Sequence, residues 1–191
     1  MTDRILVAYG TKHGSTAEIA EAIAKRLRAA GLDVELRRAR DVRSLDAYRA
    51  VVLGSAVYMA RWRRDAARLL RRHRRELAQR DVWLFSSGPV GEQADQDEAS
   101  AERWTKPKLV RRLAADIGAR DHVVFGGRVS EDAGGFMYRN MANNTPPELR
   151  DRRDWDAIEG WAQGIAATVG GASPEAGAGP CDHKNNPESP Q

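Results

Sequence analysis

Six consecutive residues, Thr11-Lys12-His13-Gly14-Ser15-Thr16, carry the most legible chemistry of the chain. They follow the apolar run ILVAY at 5–9 and open straight into a segment of helical spacing. A strand that turns at once into a helix gathers unpaired backbone N–H groups and the positive end of the helix dipole at one point, which makes an anion site. Hydroxyls at Thr11, Ser15 and Thr16 add donors for phosphate oxygens, and Gly14 admits close backbone approach or a positive φ. Two common phosphate loops are excluded, because the chain contains neither GK[ST] nor G-x-G-x-x-G. The alternative reading of the six residues is a capped turn with no ligand.

Other chemistry is sparse. Ser86 and Ser87 follow an apolar run but lack the G-x-S-x-G elbow of a nucleophile, and the four histidines show no metal-ligand spacing. Cys181 and His183 lie in a tail rich in Gly and Pro, so no metal site is expected, and a single cysteine makes no intramolecular disulfide.

The elements that would position the turn follow from periodicity. Continuous apolar runs at 5–9, 50–54, 82–86 and 122–127 suggest strands covered on both faces, and LDVELRR at 32–38 alternates as a half-exposed edge strand does. Helical stripes fall at Ile19, Ile23 and Leu27; Leu69, Leu70, His73 and Leu77; Leu109, Val110, Leu113 and Ile117; and Ile158, Trp161, Ile165 and Val169. Ser15 and Glu18 suggest a capping box, Gly31 a helix end, and Thr105 with Pro107 and Asp154 later starts. The order β-α-β-β-α-β-α-β-α predicts an α/β fold, with a parallel sheet wrapped by helices on both faces. Residues 170–191 hold no large apolar side chain and are expected to form a disordered tail behind one domain at 1–169.

The turn resembles the flavodoxin phosphate loop T/S-x-T-G-x-T, with His13 where that pattern has its middle Thr. Later segments, VVLGSAVYMARW, TKPKLVRRLAADIG and RRDWDAIEGWAQGIA, are similar to the flavodoxin-like menaquinone-dependent protoporphyrinogen oxidases, a likeness that runs over most of residues 4–169. Residues 128–153 depart from that family, which carries a longer helical insertion there. The resemblance implies a five-stranded parallel sheet of order 2-1-3-4-5 and FMN as cofactor, bound beyond the carboxyl ends of the strands where the strand order reverses. Three loops would then converge: 10–16, 55–62 and 87–95. The first suits the phosphate, with either His13 or Lys12 replacing the missing hydroxyl or the backbone alone sufficing. The second, with Ala56, Val57, Tyr58 and Trp62, offers flat surfaces to the isoalloxazine ring, although Trp62 could instead pack beneath the following helix. The third, with Ser87, Gly88, Pro89, Val90 and Gly91, offers backbone groups to the ring's polar edge. A flavin brings its own redox chemistry, so no catalytic triad is expected. The resemblance further implies a porphyrinogen as reduced substrate and a quinone as acceptor. Its rivals are a flavodoxin-type electron carrier and a flavodoxin fold that has lost its flavin.

Charge bears on that choice. The net charge is +4, yet residues 61–80 alone hold nine arginines against Asp65 and Glu76. A single helix, Arg61 to Arg80, therefore makes the protein basic, with Arg68, Arg71, Arg72 and Arg75 on its outer face. It reads as a solvated face or as a contact for anionic lipid, an acidic redox partner or a propionate-bearing substrate. Without exposed aromatics or a recognition motif, no nucleic-acid partner is expected. Electron-carrying flavodoxins are generally acidic, which argues mildly for the enzyme. No apolar run of membrane-spanning length and no secretory leader is present, so a cytoplasmic location is expected, with peripheral contact at the inner face of the cell membrane open to the basic helix. Phe136, Met137, Tyr138 and Met141 could cover the flavin, touch a membrane or make a dimer.

Overall fold

A computed structural model describes residues 3–88, 106–129, 143 and 145–171. Five strands form one parallel sheet: β1 (Arg4–Gly10), β2 (Val34–Arg38), β3 (Tyr48–Tyr58), β5 (Asp81–Ser87) and β6 (Asp121–Phe125). A two-residue strand, β4 (Arg61–Trp62), folds back antiparallel on the end of β3. The order across the sheet is β2-β1-β3-β5-β6, so the long strands run 2-1-3-4-5 as expected.

Alternation explains the layers. Ile5 and Val7 of β1 point to one face and Leu6 and Ala8 to the other, and all four are fully buried. The first face is covered by α1 (Ser15–Ala29) and α5 (Trp155–Gly170), whose Ile19, Ile23, Leu27, Ile158, Ile165 and Val169 join Val52 and Phe85 in one core cluster. The second is covered by α2 (Arg64–Arg72), α3 (Arg74–Leu77) and α4 (Lys108–Asp116), through Leu69, Leu70, Leu77, Val110 and Leu113. At Gly54 in β3 a Cβ would stand 1.9 Å from Phe85 Cζ, so only glycine lets that ring cross the sheet surface.

Several local expectations are corrected. Ser15 and Glu18 form no capping box: Gly14 is the N-cap of α1, with φ 91°, and no side chain caps the helix. Ser15 Oγ instead accepts from the Arg128 backbone N–H at 3.2 Å, and Glu18 binds two arginines, so long-range partners outcompete the local cap. Gly31 does end α1. Its φ is 83°, and the Gly31 and Leu32 amides donate to Arg28 and Leu27, closing the helix in a Schellman motif. Asp154 caps α5 through the Ala157 amide at 2.9 Å, while Pro107 stands at the N-cap of α4. Thr105 lies outside the described residues.

The basic segment is not one helix. Its chain turns at His73 (φ −98°, ψ 18°), where Nδ1 meets Glu76 Oε1 at 3.0 Å, and divides into α2 and α3. Arg68, Arg71, Arg72 and Arg75 are exposed and His73 is buried. Leu109, expected to face inward, is 49% exposed; Val110 and Leu113 alone of the first turns of α4 enter the core. The helix α5 runs to Gly170, and residues 172–191, with Cys181 and His183, lie outside the described residues.

Candidate functional site

Three chain segments meet beyond the carboxyl ends of the central strands. The first is the turn after β1. Thr11 Oγ1 accepts from the Gly14 amide at 3.1 Å, and the Gly14 carbonyl accepts from Ala17 and Glu18, so the turn is wound tightly onto the start of α1. With the Gly14, Ala17 and Glu18 amides so engaged, the Ser15 and Thr16 amides at the helix start keep no backbone partner among the described residues, with the dipole behind them. Thr16 is buried, Lys12 is exposed, and Thr11, His13, Gly14 and Ser15 are half-buried.

The second segment differs from the loop expected at 55–62. Strand β3 continues through Ala56, Val57 and Tyr58, and the chain reverses over Met59 and Ala60 into β4. Both turn residues have positive φ, 49° and 54°. A two-residue reversal requires that geometry, for which Asn-Gly is the relaxed choice. Met59 is left 87% exposed at the tip. The Tyr58 ring meets the His13 ring edge to face at 6.3 Å, which brings the second segment against the first. Of the two openings for Trp62, the structure takes the core: Trp62 is 6% exposed, Nε1 donates to Ser86 Oγ at 2.9 Å, and its ring packs edge-on to His122.

The third segment leaves β5. Ser87 is buried, and Gly88 (φ 130°) donates its amide to Phe125 O at 3.0 Å. A Cβ on Gly88 would lie 3.7 Å from Val57 O, so the third segment abuts the second. Pro89, Val90 and Gly91 lie outside the described residues, as do Phe136, Met137, Tyr138 and Met141.

Residues that sequence reasoning passed over surround the first turn. Arg63 follows β4 and packs over the end of β1: a Cβ on Gly10 would lie 3.0 Å from Arg63 Cβ. On the other side stands Arg128, whose Nη2 bonds Glu18 at 2.6 Å. Arg153, 5% exposed at its side chain, binds both Glu18 and Asp151, and the chain around it is pinned to the exit of β6 by a bridge between Arg128 and Asp151. Nothing in the local sequence separates Arg63 from its eight neighbouring arginines, and Glu18 and Arg153 are 135 residues apart.

The electrostatics favour an anion. Burial first, then Lys12 and Arg63, hold the His13 imidazole below its ordinary pKa, so the ring is neutral at pH 7. The Glu18 carboxylate beside the helix start is offset by Arg128 and Arg153. Both Arg63 and Arg128 keep a buried Nε–H without a hydrogen-bond partner. A buried donor left unpaired costs about 1–3 kcal/mol, a cost that an anion bonded to either one would offset. A helix N-terminus, a glycine in the left-handed region and two unsatisfied guanidinium donors fit a phosphate monoester. Among the described residues no cluster could hold a metal ion, and no helix is long and apolar enough to cross a membrane.

The fold and this site define a nucleotide-binding α/β protein of the doubly wound class. Its family follows from the sequence: the flavodoxin-domain profile matches residues 6–148, and the chain belongs to that family. FMN is its cofactor, and electron transfer its general function. Solved structures agree on the fold. A cysteine-to-serine mutant of flavodoxin from Pseudomonas aeruginosa is 18% identical with a TM-score of 0.57, and the match covers 87% of this chain and 99% of that one. Oxidised flavodoxin 2 from Bacillus cereus is 19% identical with a TM-score of 0.56, covering 86% and 99%. The rubredoxin oxygen:oxidoreductase of Desulfovibrio gigas is 16% identical with a TM-score of 0.58, covering 89% of this chain but 37% of its own. A search of curated proteins found no match.

Proposed function

We propose that the protein is an FMN-dependent oxidoreductase that takes electrons from a reduced small molecule of the porphyrinogen type and delivers them to a quinone. The observation that carries this reading is charge. Lys12 and Arg63 flank the turn after β1, where a carrier of the flavodoxin type would present acid to a basic partner. The likeness of the segments after β3, before β6 and in α5 to the protoporphyrinogen oxidases supports the same substrate class.

In this reading the turn from Thr11 to Thr16 holds the phosphate with its amides and hydroxyls, Arg63 donates from the β1 side, and His13 takes the place of the missing threonine. Tyr58, Ala56 and Val57 flank the ring system, and Ser87 and Gly88 offer backbone groups to its polar edge. Bound FMN supplies the redox chemistry. The protein's part is to bind, orient and exclude water. A basic border would draw a substrate bearing carboxylates toward the ring edge, and would favour contact with an anionic membrane surface where a quinone resides.

The test is an anaerobic absorbance titration of the FMN-loaded protein with protoporphyrinogen IX, followed by a menaquinone analogue. Bleaching of the flavin by the tetrapyrrole and recovery with the quinone are expected. A bound flavin indifferent to both leaves the electron carrier, and failure to bind FMN sinks both readings.

A further inference from the structure

A second basic feature lies outside the FMN site. Behind the carboxyl end of β2, a short helical turn at Ala39–Asp41 and the residues after it face α2 across an open cleft of about 590 Å³. Five arginines line it: Arg40 and Arg43 from the turn, and Arg64, Arg68 and Arg72 from α2. The α2 residues are spaced four apart, so helical periodicity stacks them along one wall. Four of the five charges are unmatched: Arg40 has Asp41 at 3.7 Å, but among the described residues the other four form no ion pair and no side-chain hydrogen bond. Asp65 is the one acid lining the cleft and Asp41 offsets Arg40 beside it, which leaves a charge of about +3 there.

The cleft also has a floor. Leu69 and His73 line it and are 4% and 5% exposed. Glu76 occupies His73 Nδ1, so Nε2 is the ring nitrogen left for a ligand. A solvated outer face needs no concavity and gains nothing from crowding like charges, whose repulsion opposes folding. The volume falls in the range of small-molecule sites, about 300–1,000 Å³. No aromatic platform other than the His73 ring lines it, so recognition would rest on charge and on guanidinium forks rather than on base stacking. Asp65 ties the cleft to the FMN site, since its Oδ1 lies 2.9 Å from where a Cβ on Gly10 would stand.

We propose that this cleft is a second ligand site, which takes a compact polyanion carrying two or more phosphate groups. Guanidinium forks match phosphate oxygens in pairs, and a linked polyphosphate brings the required negative charge into a space of this size. The same chemistry could come from a free molecule or from a lipid headgroup; the concave shape favours the free molecule, because a flat bilayer surface reaches the rim and not the floor.

The experiment is calorimetric titration of the full chain, at saturating FMN and low salt, with sodium tripolyphosphate, beside a sedimentation assay with vesicles of anionic phospholipid. Saturable binding near one to one is expected, weakened about tenfold or more in the double variant Arg43→Glu, Arg68→Glu and unchanged in the control Arg111→Glu, Arg112→Glu on α4. Saturating FMN keeps the probe out of the turn after β1. If the charge-reversed variant fails to fold, Arg43→Gln with Arg68→Gln replaces it, with the same direction expected. Absence of binding, equal loss in the groove and control variants, or binding to vesicles alone would each overturn the proposal.

Discussion

Two clusters of arginine lie on this fold, and they are built to opposite rules. Around Glu18 every charge has its partner: Arg128 and Arg153 hold the carboxylate, Arg153 also holds Asp151, and the whole joins the first turn of α1 to the return of the chain after β6. Along α2 and the turn at 39–43, five arginines crowd a cleft with only Asp41 and Asp65 beside them. The first cluster is cohesive and the second is repulsive. Matched, partly buried charges fix the relative position of distant segments, whereas unmatched charges keep their free energy available for a ligand.

The comparison is broken most directly by deleting one arginine from each cluster. Arg153→Ala removes a buried guanidinium and leaves two carboxylates short of donors, and should cost about 2–4 kcal/mol in urea denaturation. Arg68→Ala should leave stability within about 0.5 kcal/mol, or raise it slightly, because it relieves repulsion. Equal losses would erase the distinction. The next largest effect belongs to Arg63, which sits between the clusters. Arg63→Met should weaken FMN binding by about 10–100-fold, the worth of one or two charge-assisted hydrogen bonds. It should not lower the stability of the protein without FMN, since the buried Nε–H has no partner to lose. Fluorescence titration with FMN and denaturation without it separate the two effects. A third variant concerns the reversal that places Arg63. Replacing Met59 and Ala60 with Asn and Gly relieves two left-handed residues and should stabilise by about 1–2 kcal/mol in total, read as a shift in urea midpoint.

These sites were unequally legible in the sequence. The sheet could be read because continuous apolar runs have few other uses, and order 2-1-3-4-5 followed once the phosphate turn was recognised. The turn after β1 could be read because its chemistry is local. What escaped were features whose partners are remote or whose residues break a local rule. The hairpin over Met59 and Ala60 carries no Asn or Gly to announce it, and the pairing of Val57 with Trp62 imposes it from outside. The break at His73 leaves the apolar spacing of Leu69, Leu70, His73 and Leu77 intact, so periodicity reads through it. The cleft combines Arg40 and Arg43 with residues of α2 that are distant in sequence, and a charge count over 61–80 sees only three of its five arginines.

Acid provides the finest way to separate the clusters. Asp151 is held below the ordinary carboxylate range, first by its hydrogen bond with the Arg153 side chain and then by the Arg153 amide, against the opposing effect of burial. A depressed carboxylate contributes stability that is present above its unfolded pKa, about 3.9, and is lost as pH falls through the folded value. Wild type should therefore be more stable than Asp151→Asn at pH 7, and the two should converge as pH falls below about 4. The arginines of the cleft stay protonated throughout, so acid dissolves the clamp and leaves the repulsion in the cleft untouched. Salt acts in the opposite sense: it screens exposed like charges and hardly reaches Arg153. Raising ionic strength at pH 7 should thus stabilise the wild type more than a variant in which Arg43 and Arg68 are neutral. If the two respond alike, the five arginines of the cleft do not repel, and the contrast between the clusters fails.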